Sequence, residues 1–363
     1  MNFAKRMLAM MLAVLMAVTF AGCSGSQNGD GVVATLGDRS VSGELYTRFM
    51  MDAYTLADTY KDDPTADLLD TTVEGVPAAE WIAKTTKDDI CRYLVTMEKF
   101  EESGMGFGQE DQDYVTDYAS NMLEAYASLF KASGIDLDAM KNYYEYNVKS
   151  MALFDYYYAE GGEKEVPAEE IKAEMSKTYN LTKVMIFDKA QITLDADGNP
   201  VEPTQEEIES AEAKARSYYD RALNGEDFEE LIIEWEIDLF GEDGIDHSHE
   251  DGGSHDLVTD IGGANVPVAY SSVMDTAPYG QPQFIEDTDV YYVAVRYDIG
   301  ESANVFESYR SAMLLTMRSE DYRVMSDEWI AAADITLNEA VMEQYPLQNI
   351  VEVMAGATNN LAQ

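Results

Sequence analysis

From Glu80 to Ala159 apolar side chains return every three or four residues, as in Met122, Tyr126, Leu129 and Phe130. Only a helix gathers that spacing onto one face. The tract is punctuated. Gly104, Gly106 and Gly108 interrupt it once and Gly134 again, at places where a chain leaving a helix needs freedom to turn. The spacing predicts helices over 80–103, 109–133 and 137–159. Ahead of them, residues 32–41 read as two strand-like pieces about a Gly37-Asp38 turn. Ser42 then caps a helix running through Tyr46, Phe49, Met50, Ala53 and Leu56, with Glu44 in its first turn. The N-terminal half is therefore a helical body opened by a hairpin. Tyr143, Tyr144, Tyr146, Tyr156, Tyr157 and Tyr158 crowd its last helix. Two readings stand for them: ordinary core packing, or an aromatic surface for extended polypeptide, since tyrosine offers large contact area at low entropic cost.

Past residue 165 the pattern changes. Pro167 opens a short helix, and residues 181–187 (Leu-Thr-Lys-Val-Met-Ile-Phe) form a buried strand. Residues 195–200 make a turn. They are no calcium loop, because Gly198 stands fourth where such a loop needs its glycine sixth. Thr204 caps a helix over 205–223, Asn224 to Asp227 interrupt it, and a second helix covers 228–235. A Gly/His/Asp-rich stretch spans 241–263. A short helix at 270–274 and strands at 283–285 and 290–296 follow. Strand, two helices, loop and two strands describe a compact α+β domain. One long helix, 305–333, and a short strand-like piece at 335–337 end the pattern.

The first twenty-two residues are of another kind. Lys5 and Arg6 precede an uncharged apolar run from Met7 to Phe20, closed by Ala21-Gly22-Cys23. Positive flank, short apolar core and small residues at a cut form a secretory signal. The run of fourteen residues is shorter than the roughly eighteen to twenty that span a bilayer. Thr19-Phe20-Ala21-Gly22-Cys23 resembles a lipobox, with Phe20 where leucine is more usual, so Cys23 is the expected lipidation site. Residues 1–22 are then a lipoprotein signal peptide and 23–31 a flexible polar tether. The expected place is the outer face of a bacterial cytoplasmic membrane, held through lipid on Cys23.

Charge narrows the partners. The chain carries −45, and losing Lys5 and Arg6 with the signal takes it to −47. Such a surface repels nucleic-acid phosphates, so nucleic acid is excluded as a partner. With 46% hydrophobic residues the chain is no disordered acidic tail. Cys23 and Cys91 are the only cysteines, so no disulfide framework exists once Cys23 carries lipid. Cys91, in the apolar pattern Ile90-Cys91-Leu94-Val95, reads as a small core residue.

The order of these pieces resembles the extracytoplasmic foldases of the PrsA/SurA type. The most specific segment runs from Ala211 through Leu223-Asn224-Gly225-Glu226-Asp227-Phe228 to Leu231. It is similar to the parvulin signature of helix, sharp turn and second helix, in which Gly225 permits the turn and Phe228 plugs the crevice behind it. The resemblance implies an α+β fold: a mainly helical chaperone domain, made of residues 32–165 and a returning helix at 303–340, with a parvulin-like domain inserted at 178–300. Residues 341–363 are left as a tail, read as a short helix plus frayed end. The implied function is a membrane-anchored chaperone acting on unfolded or partly folded exported polypeptides.

The parvulin site departs from its family. Such sites pair a histidine on the first strand with one on the last, beside an acidic or thiol group. Here the first strand reads Lys183-Val184-Met185-Ile186 and the last Val290-Tyr291-Tyr292-Val293. Tyr291 takes the expected place of the second histidine, and Asp238 is the acidic residue carried over. Met274 and Phe284, with Tyr291, are the expected substrate-pocket walls. The implied isomerase is weak or inactive, and an active prolyl isomerase with an altered pocket is the alternative. All three histidines, His247, His249 and His255, fall within nine residues among carboxylates. They could bind a divalent ion or form a solvated loop. No other cofactor is expected. A solute- or metal-binding lipoprotein is the further alternative, although no doubly wound strand–helix alternation is present.

Overall fold

A computed structural model describes residues 31–189, 193–194, 200–201, 204–245 and 255–361. The signal, Cys23, the tether, His247, His249 and most of the 195–200 turn lie outside the described residues. The chain divides into two compact units, one made of residues through Glu165 together with Arg318 onward, the other of Val166–Met317.

The first unit opens with strands β1 (Val32–Leu36) and β2 (Arg39–Ser42), paired antiparallel about Gly37, whose φ of +57° suits a residue without Cβ. Helix α1 (Gly43–Tyr60) follows, and Ser42 Oγ accepts a hydrogen bond from Leu45 N at 3.2 Å. That bond satisfies an orphan amide at the helix start, as the sequence predicted. A small ribbon, β3 (Thr72–Val73) and β4 (Val76–Pro77), leads to α2 (Ala78–Glu102), α3 (Gln109–Ala125), α4 (Ala127–Ser133) and α5 (Leu137–Tyr158). The helix predicted over 109–133 is two helices, broken at Tyr126, where φ is −120° and ψ 35°. The break lets Leu129 and Phe130 turn into the core.

The tyrosines of α5 resolve in favour of packing. Phe49 of α1 meets Tyr143 and Tyr146 edge-on at 5.5 and 5.8 Å, and Tyr93 of α2 at 6.0 Å. Such geometries add about 0.5–1.5 kcal/mol per pair beyond burial. Tyr144 and Tyr158 are buried, and of the six only Tyr156 is exposed.

The second unit begins with α6 (Ala168–Thr178) and β5 (Tyr179–Asp188), then a short ribbon, β6 (Thr193–Leu194) and β7 (Pro200–Val201). It continues through α7 (Gln205–Leu223), α8 (Phe228–Phe240), β8 (Leu257–Asp260), α9 (Val268–Met274), β9 (Pro282–Glu286) and β10 (Val290–Tyr297). Thr204 and Glu207 form a capping box at α7, and Asp227 caps α8. Gly225, at φ +88°, makes the turn between those helices, and Phe228 is buried behind it. The main sheet is antiparallel in the order β8-β5-β10-β9. Alternation along a strand sends neighbours to opposite faces. Met185, Phe187, Tyr291, Val293 and Val295 pack under α7 and α8. Tyr292, Ala294 and Ile285 pack under α9 with Tyr270 and Met274. Strand β8 was missed by the sequence reading, being four residues long inside a Gly/His/Asp-rich stretch.

Helix α10 (Ala303–Ala332) passes from the second unit into the first, and β11 (Thr336–Leu337) pairs with β1, Ala34 opposite Leu337. The first and last strands thus share one small sheet. The tail, read as a short helix plus frayed end, carries two helices, α11 (Glu339–Met342) and α12 (Leu347–Leu361), with Met342 and Ile350 buried. Tyr345 lies so close over Gly43 that a Cβ there would fall 1.7 Å from its Cζ.

Candidate functional site

The α9 face of the second unit's sheet gathers a small cluster of aromatic, hydroxyl and apolar side chains. Tyr270 Oη donates to Thr182 Oγ1 at 2.8 Å, and Thr182 Oγ1 in turn reaches the Leu257 carbonyl at 3.4 Å. Burial pushes the Tyr270 phenol up to about 12, against a smaller opposing effect of the Thr182 bond. Tyr292 meets Tyr270 edge-on at 5.2 Å, and burial raises its phenol as well. Asn180 Nδ2 donates to Asp275 Oδ1 at 2.6 Å, while Gly262 N donates to Oδ2 at 3.0 Å, which ties the loop after β8 to the end of α9. Ile186 stays 41% exposed beside these buried groups. The centre of the face is thus built of hydroxyls and apolar side chains, with the Asn180–Asp275 pair at the end of α9. Tyrosine hydroxyls held above their ordinary range neither take nor give a proton near neutral pH.

Of the expected pocket residues only Met274 lies on this face, fully buried. Tyr291 and Phe284 lie on the opposite face, stacked at 5.5 Å, with Tyr219 and the Arg216 guanidinium against Phe284. The correction comes from the two-residue period of a strand: a slip of one position moves a side chain through the sheet. Tyr292, not Tyr291, faces α9. Asp238 does not join the α9 face either. It is half exposed on α8, accepts a hydrogen bond from Tyr218 Oη at 3.2 Å and lies 3.6 Å from Lys214 Nζ. Tyr218 belongs to the core under α7 and α8, so the sheet separates Asp238 from the α9 face.

His255 is spent on an ion cluster. Its Nδ1 lies 2.6 Å from Glu229 Oε1 and its Nε2 3.1 Å from Glu236 Oε2, the ring being 8% exposed. Lys183 bonds the other oxygen of Glu229 and lies 3.6 Å from Asp256 Oδ1. Burial pushes Glu229 up, but the bonds from Lys183 and His255 outweigh it and hold its carboxyl below the ordinary range. With both ring nitrogens on carboxylates, His255 does not present an open metal ligand. No group of three ligating side chains suited to a metal occurs among the described residues. The sequence reading missed Glu229 and Glu236 as partners, although seven residues on one helix place them on the same side. Cys91, read as a small core residue, is only half-buried and outside the buried core, and burial raises its thiol.

A helical body whose first and last strands pair, with an antiparallel α+β unit inserted in its chain, is the architecture that the foldase resemblance implies. Solved structures similar to this chain include foldases. The foldase protein PrsA of Streptococcus pneumoniae matches at 15% identity and TM-score 0.32, over 72% of this chain and 90% of that one. PrsA of Lactococcus lactis matches at 12% identity and TM-score 0.34, over 87% and 99%. PrsA of Bacillus subtilis matches at 16% and TM-score 0.29, over 75% and 90%. These are distant likenesses. No protein-family model matches the chain, and no curated protein matches it in sequence.

Proposed function

We propose that this chain is an extracytoplasmic chaperone-foldase, lipid-anchored at Cys23, which holds unfolded exported polypeptides and isomerises prolyl bonds weakly or not at all. The observation that carries the reading is the α9 face, furnished with Thr182, Tyr270 and Tyr292 and, among the described residues, with no histidine. An imide needs no nucleophile to rotate, but its barrier is about 20 kcal/mol. Lowering that barrier requires groups that stabilise the twisted bond. Both hydroxyls of the Tyr270–Thr182 pair are already committed to partners within the face. Holding a client asks less, namely apolar and hydroxyl-bearing surface on a highly charged, soluble scaffold. The test is light scattering by a chemically unfolded exported protein diluted into buffer with residues 24–363. Scattering suppressed at near-equimolar chain is expected, and scattering unchanged at tenfold excess refutes the reading.

A further inference from the structure

The first unit carries a groove of about 210 Å³ that none of the preceding roles uses. Tyr46, Met50, Ile82 and Met342 form its buried floor, and Tyr345 and Leu347 one wall. Its volume is below the roughly 300–1,000 Å³ of small-molecule sites, so it accepts a side chain or two rather than a cofactor. Two methionines in the floor give it the adaptability of surfaces that accept varied apolar partners. At the rim, Lys87 Nζ bonds both oxygens of Glu339 at 2.8 Å. Glu343, exposed at the same rim, has no ion-pair partner among the described residues. The rim is net acidic on a chain of −45.

The charge selects the occupant. A second copy of this chain would bring like charge, and the tether residues Ser24 to Asp30 offer neither a cation nor a large apolar side chain. Position adds to this. Gly31, where the tether joins the fold, packs against Val341, a Cβ there falling 2.4 Å from Val341 Cγ1. The groove wall built from residues 339–347 therefore lies beside the attachment point of the tether. We infer that the groove binds a large apolar side chain of an extended polypeptide whose neighbouring residues are Lys or Arg. The inference rests on the foldase reading and gives it a contact point outside the sheet face.

The probe is a fluorescein-labelled peptide, Lys-Lys-Leu-Phe-Leu-Lys-Lys, titrated with residues 24–363 and followed by anisotropy, beside the same peptide with Glu in place of Lys. Ala83→Arg, at an exposed rim position, fills the mouth with bulk and positive charge. Glu343→Gln removes the unpaired rim charge alone, and circular dichroism checks both folds. The Lys peptide is expected to bind at least tenfold more tightly than the Glu peptide. Ala83→Arg should weaken it at least tenfold, and Glu343→Gln two- to fivefold. Equal binding of the two peptides, or variants that bind like the parent while the parent suppresses aggregation, overturns the groove and leaves the foldase reading standing. A parent that neither binds the peptide nor suppresses aggregation overturns both.

Discussion

Asp89→Asn should stabilise the helical body at alkaline pH and much less in mild acid. Asp89 sits on α2 with Arg92 one turn on, Asp88 beside it, Asp52 of α1 nearby and Tyr146 of α5 packed against it. Burial pushes its carboxyl from 3.8 up to about 7, helped by Asp52 and Asp88 and opposed by Arg92. Between those two values the folded chain keeps a proton that the unfolded chain has released, so stability falls as pH rises through the window. A move from 3.8 to about 7 corresponds to at most about 4 kcal/mol at 1.36 kcal/mol per pKa unit. Water reaching this partly exposed group reduces that to about 1–3 kcal/mol. The substituted amide would carry no charge, and Arg92 would keep Ser326 and Asp327, the latter at 2.9 Å. The assay is urea unfolding at pH 5 and pH 8 by tryptophan fluorescence. A Trp235→Phe background leaves Trp81 and Trp329, both in the body, as reporters. The variant should exceed the parent by about 1–3 kcal/mol at pH 8 and by under half of that at pH 5. A parent whose stability is flat between the two, or a variant weaker at pH 8, would show that Asp89 is not held protonated in the folded body.

Gly43→Ala should destabilise the body by about 1–3 kcal/mol, because the new Cβ meets the Tyr345 ring and forces α11 and α12 off α1; calorimetry with Tyr345→Ala as the rescuing second change checks it. His255→Gln should destabilise the second unit by about 1–3 kcal/mol, since Glu236 loses its bond to the ring while Glu229 keeps only Lys183. Glu229, held below 4.5, contributes stability present above that pH and lost as pH falls through its folded value. Acid unfolding followed through Trp235 should accordingly begin at higher pH in the variant than in the parent. Cys23→Ala should move the chain from the membrane pellet to the medium or supernatant in a fractionation of the producing bacterium, and labelled palmitate should be lost with it.

Much of the fold was legible because its signals are local. Ser42 and Thr204 each hold amides within three residues, and the apolar spacing that located α2, α3 and α5 repeats within one turn. What failed was set by distance. Strand β8 carries four residues and exists because β5 pairs with it. The tail folds because Met342 and Ile350 find a core built far earlier in the chain. The candidate site was harder for the same reason. Tyr291 and Tyr292 are indistinguishable by composition, and only the register of β10 against β5 and β9 decides which faces α9. His255 looked like one of three clustered ligands until α8 brought Glu229 and Glu236 to both sides of its ring.

On the proposed function, this chain holds clients without rotating their prolyl bonds efficiently. Refolding of an exported protein limited by one slow prolyl step reads both terms in one sample, scattering for holding and the slow rate constant for isomerisation. With residues 24–363 present, scattering should fall while the rate constant stays within twofold of the uncatalysed value. A rate constant raised more than tenfold, or scattering left unchanged, contradicts the claim.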